Sequence, residues 1–110
     1  MTDNDHASAL LRPAAPPAAT RKAISCLEAL GAEIGKTGWI ARLQTGAGRI
    51  PCLHVQNPEP GAGALAENIY AAPKDDSWWF WWSWAEPIAQ DITATATIIR
   101  RTLRTAAPQP

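Results

Sequence analysis

Cys52 and His54 are the residues of this chain whose types and spacing come nearest to chemistry. At i and i+2 of one extended run they share a strand face, so a thiol–imidazole pair or two metal ligands could form there. A nucleophile also needs an orienting third group and an oxyanion site, and the sequence specifies neither. A metal needs more ligands than it can find: the histidines are His6 and His54, and His6 lies in the N-terminal arm. Cys26 and Cys52 are too few for a disulfide framework and lack metal-ligand spacing, so both read as reduced thiols. The carboxylates pair only at Asp75-Asp76, in a turn, whereas glycoside hydrolysis needs two carboxyls across a cleft. Gly31-Ala32-Glu33-Ile34-Gly35-Lys36-Thr37 imitates a phosphate-binding loop, but that loop needs a glycine five positions before Gly35, where Leu30 stands. It also follows a helix and precedes a strand, the reverse of what phosphate cradling requires. No catalytic residue, metal or cofactor is expected, and an enzyme is disfavoured.

What remains is binding, and the candidate is Trp78-Trp79-Phe80-Trp81-Trp82-Ser83-Trp84. It holds five of the six tryptophans and the only phenylalanine. Aromatic residues suit a pleated backbone, so this stretch predicts a β-strand, with Trp78, Phe80, Trp82 and Trp84 on one side and Trp79, Trp81 and Ser83 on the other.

The rest of the chain must position that strand. With 110 residues and 46% hydrophobic content there is room for one modest core. Residues 1–19 read as a disordered Pro/Ala-rich arm, 20–105 as a single domain and 106–110 as a disordered tail. Thr20 can cap a helix over Arg21 to Leu30, with Ala23, Ile24, Leu27 and Leu30 as its stripe and Gly31 as its stop. Glu33-Ile34 then reads as a short extended piece forming a hairpin with Trp39 to Leu43. Arg49 to Gln56 and Leu65 to Ala72 follow as strands, the first started by Pro51. The turn Pro73 to Asp76 leads into the tryptophan strand. Asp91 caps a last helix with Ile92, Ala96, Ile99 and Leu103 on one stripe. The expected fold is α+β and two-layer: an antiparallel sheet of four or five strands with an N-terminal and a C-terminal helix packed on one face.

Pairing Ala72 with Ser77 sets Tyr70 opposite Trp79, Asn68 opposite Trp81, and Leu65 opposite Trp84 on the inner side. Carrying the pattern back, with Gln56 opposite Ala64, turns Pro51, Leu53 and Val55 inward. The free face then holds Ile50, Cys52, His54, Asn68, Tyr70, Trp79 and Trp81. Glu67 falls on the inner side, where it must reach solvent at the sheet's end or pair with an arginine such as Arg42, unless the register is one residue off.

Leu65-Ala66-Glu67-Asn68-Ile69-Tyr70-Ala71-Ala72-Pro73, followed by Trp78 to Ile88, resembles a group of small Trp-rich actinobacterial proteins of unassigned function. The resemblance brings no catalytic residues and implies a standalone cytosolic domain, an accessory to regulation.

The net charge is zero, which leaves no electrostatic footprint for nucleic acid or an anionic membrane. The acidic N-terminus is no secretory signal and no run approaches membrane-spanning length, so a cytoplasmic location is expected. Trp79 and Trp81 could be covered by the arm, a second copy, another protein or a flat ligand. The first reading is a self-associating protein–protein interaction domain, a homodimer, with Tyr70, Trp79 and Trp81 at its interface. The alternative is a binder that stacks a planar or sugar-like ligand on Trp79 and Trp81, with Asn68 and His54 as polar contacts. A single-stranded nucleic-acid binder ranks below both.

Overall fold

A computed structural model describes residues 17–59 and 65–105. The chain runs α1 (Ala18–Gly35), β1 (Ile40–Gln44), β2 (Cys52–Gln56), β3 (Ala66–Lys74), β4 (Ser77–Trp82), β5 (Pro87–Ala89) and α2 (Ile92–Thr105). The five strands form one antiparallel sheet in the order β1-β2-β3-β4-β5, so each connection is a hairpin between neighbours. Both helices bury their apolar stripes against one face of this sheet, as the α+β pattern requires. The expected arm and tail fall largely on residues 1–16 and 106–110, outside the described residues, although Ala18 and Ala19 belong to α1.

Helix α1 starts earlier and ends later than its sequence suggests. Thr20 lies within the helix; the N-cap is Pro17, whose carbonyl accepts from Arg21 N–H at 3.0 Å and which offers no side-chain cap. Gly31 is no stop, and Glu33-Ile34 is helix rather than strand. A glycine inside a helix costs about 1 kcal/mol relative to alanine, but the extra turn buries Ile34 completely, and that contributes about 1.5–3 kcal/mol. Gly31 also has a packing reason to be there: a Cβ at this position would stand 3.2 Å from Leu53 Cδ1. The chain leaves the helix through Gly38, at φ +84°, before entering β1.

Helix α2 is built as expected. Asp91 Oδ2 accepts from Ala94 N–H at 2.8 Å, and Ala96, Ile99 and Leu103 are buried with Ile92 packed beside them. They meet Leu27, Leu30 and Ile34 of α1 over Leu53, Val55, Ile69, Phe80 and Trp82 of the sheet, with Trp39 closing one end.

The hairpin of β3 and β4 turns on two residues, not four. Asp75 and Asp76 have φ of 51° and 64°, the type I′ signature whose twist matches that of the flanking strands. Lys74 therefore pairs with Ser77, and the register moves by two: Tyr70 faces Trp81, Ala72 faces Trp79 and Ile69 faces Trp82. The β2–β3 register moves likewise, with Gln56 opposite Ala66. A slip of two leaves every side chain on its expected face, because the strand repeat is two. Pro73 lies beyond the last residue that β2 pairs, Ile69, where a missing N–H breaks no bond to β2.

Candidate functional site

The side of the sheet opposite both helices is the outer face. In β2, Leu53 and Val55 turn into the core, so Cys52, His54 and Gln56 turn outward. The same alternation turns Asn68, Tyr70 and Ala72 of β3 and Trp79 and Trp81 of β4 outward, because Ile69, Phe80 and Trp82 are core. Among the described residues no helix lies over this face. His54, Asn68, Tyr70, Trp79 and Trp81 are all half-buried.

Local bonds hold these side chains in place. His54 Nδ1–H donates to Asn68 Oδ1 across the β2–β3 pair at 2.8 Å. The Trp81 indole N–H donates to the Ala72 carbonyl at 3.0 Å, so the polar edge of this ring is satisfied within the sheet and its apolar surface is what remains. The Lys74 ammonium stands 5.2 Å from the centre of the Trp79 ring, a cation–π arrangement. Arg42, exposed on β1 opposite His54, and Lys74 are the cations bordering the patch.

The chemistry weighed for Cys52 and His54 is not assembled. Cys52 is buried and its thiol donates to Gln44 Oε1 at 3.5 Å, while His54 is engaged by Asn68. Both cysteines are free thiols. Among the described residues no cluster of His, Cys, Asp and Glu could hold a metal ion, and no helix is long and apolar enough to cross a membrane.

Three expected positions are corrected. Ile50 is not on the outer face: β2 begins only at Cys52, and Ile50, 74% exposed, lies in the β1–β2 connection and lines a groove on the helix side. Trp84 is not core. The strand stops at Trp82, whose N–H donates to the Glu86 carbonyl at 2.9 Å and whose carbonyl accepts from Ala85 N–H at 3.0 Å, closing a three-residue loop, Ser83 to Ala85, before β5 begins at Pro87. Trp84, 53% exposed, stacks on Trp82 with centroids 5.0 Å apart and donates its indole N–H to Glu86 Oε2 at 2.8 Å. Trp78 does face the helix side, but it is half-buried and lines the groove instead of joining the core. Glu67 is inward at the sheet's end and half-buried, accepting from Ser83 Oγ at 2.8 Å; Arg42 is on the other face.

The groove itself, about 820 Å³, was not foreseen. It opens where β2 stops short of the end of β3, leaving Ala71 and Pro73 without a partner on the β2 side and Trp78 beside them on β4, and the first turns of α1 form its opposite wall. The one signal that could have located it is the small-residue run Thr45-Gly46-Ala47-Gly48, too slight to fill that space.

No protein-family model matches the chain, nor does any curated protein or solved structure. Function therefore has to be argued from the surface itself.

Proposed function

We propose that this chain is a non-enzymatic protein–protein interaction domain that associates with a second copy of itself through the outer face of its sheet. In this reading it acts in the cytoplasm as a homodimer and as an accessory to regulation. The observation that carries the proposal is the placement of Tyr70, Trp79 and Trp81 together on the side of the sheet away from both helices. Tryptophan and tyrosine are the residues that most often anchor an interface.

Symmetry and charge favour a second copy. Five strands at roughly 4.8 Å spacing and three to nine residues at roughly 3.3 Å rise span about 20 by 10–30 Å. A face of that extent falls below the roughly 800 Å² each partner gives a standard stable interface, which fits a contact that forms only in the micromolar range. An isologous contact needs only one self-complementary patch. Zero net charge leaves little long-range repulsion between copies, and Arg42 and Lys74 lie where charged side chains belong, at the rim.

The stacked-ligand reading of the same face is weaker. His54 and Asn68 bond each other, and Trp81 spends its N–H on Ala72, so few polar groups remain to orient a planar or sugar-like molecule.

The test is sedimentation of the wild type from one to one hundred micromolar, about the range in which such interfaces form, beside Trp79→Glu and Tyr70→Glu. Dimer in the wild type and monomer in the variants supports the proposal. A wild type that stays monomeric throughout removes it.

A further inference from the structure

The groove opens on the helix side of the sheet, away from Tyr70, Trp79 and Trp81. Its volume, about 820 Å³, lies inside the range of roughly 300–1,000 Å³ typical of small-molecule sites. Its walls are mostly apolar: Ala23 and Ile24 of α1 face Ile50, Pro51, Ala71 and Trp78. Ile50 is an isoleucine left 74% exposed in that wall, and an apolar body seated in the groove removes it from water.

The charge of the lining is one-sided. Arg49 is its sole charged residue, no carboxylate accompanies it, and among the described residues Arg49 makes no ion pair. Thr20 and Thr45 add neutral hydroxyls. The first turn of α1, which Pro17 leaves without a side-chain cap, opens on the same space and favours the same sign of ligand charge.

We propose that this groove is a binding site for a small amphipathic carboxylate, its apolar body against Trp78, Ile24 and Ile50 and its carboxylate at Arg49. An arginine fork suits a carboxylate because it offers two parallel donors. A cationic ligand finds no matching group.

The experiment is calorimetric titration of the full chain with decanoate, using decyltrimethylammonium and decanol as controls of equal chain length. The expected result is saturable binding of decanoate, about tenfold tighter than either control. Arg49→Gln should weaken decanoate by about tenfold and leave decanol unchanged, while Ile50→Ser weakens both. Both positions are exposed, so the fold should survive, and circular dichroism checks that it does. Trp79→Glu, on the other face, should leave decanoate binding unaltered whatever its effect on self-association. The proposal is overturned if decanoate shows no saturable isotherm, if the ammonium binds as tightly, or if neither groove substitution matters. It is also overturned if nuclear Overhauser contacts join Leu10 or Leu11 to the Trp78 indole in the ligand-free chain, because the chain's own N-terminal segment then fills the groove.

Discussion

His54 and Asn68 face each other across β2 and β3 with Nδ1 and Oδ1 2.8 Å apart. The bond ties β2 to β3 on the outer face in the register that sets Leu53 opposite Ile69 in the core. Its strength is measurable by a double-mutant cycle. Asn68→Val alone strands a half-buried imidazole N–H and should cost about 1 kcal/mol in urea unfolding. Adding His54→Val should recover part of that loss, with a coupling of about 0.5–1.5 kcal/mol. Additive single effects would show that the pair does not hold the register.

The tryptophan run divides into residues that hold the fold and residues that cover it. Phe80 is 4% exposed in the middle of the core, and Phe80→Ala should destabilise by about 3–5 kcal/mol. Trp84 is largely outside, and its stack on Trp82 is worth about 0.5–1.5 kcal/mol beyond the area buried. Trp84→Ala should therefore cost much less than Phe80→Ala in thermal or urea unfolding. Equal losses would place Trp84 in the core after all.

Ala85 has φ 68°, in the left-handed region where a Cβ is strained. It closes the three-residue loop at the position glycine normally fills. Ala85→Gly should raise stability by about 0.5–1 kcal/mol, the relief of strain outweighing the added unfolded-state freedom. A fall in the urea midpoint would contradict this account of the loop.

Thr95 is fully buried on α2, and its hydroxyl has no partner among the described residues. Thr95→Val keeps the shape and removes the unmet polar atom, so unfolding free energy should increase by about 1 kcal/mol. A loss of stability would mean that the hydroxyl is bonded in solution.

The alternation of the tryptophan strand could be read from sequence because a period of two is local, and Phe80, Trp82, Trp79 and Trp81 all lie on the sides it assigns. The assignment survived a two-residue error in the turn for the same reason. Asp75-Asp76 hid the tight hairpin, since both residues sit at positive φ without a glycine to announce it. Gly31 misled in the opposite sense. It looked like a helix stop, yet its role depends on Leu53, a residue of β2 that no local pattern brings to it. Ile50 was misplaced because strand periodicity was extended through Pro51, where pairing has already ended. The groove follows from that early end, a tertiary fact with no sequence period behind it.

The central claim is that the aromatic outer face meets a second copy, and sedimentation velocity of the wild type beside Trp79→Glu tests it most directly. The account predicts a dimer that dissociates on dilution through the micromolar range, and a variant that stays folded by circular dichroism yet sediments as a monomer. A variant that sediments as the same dimer as the wild type would contradict it.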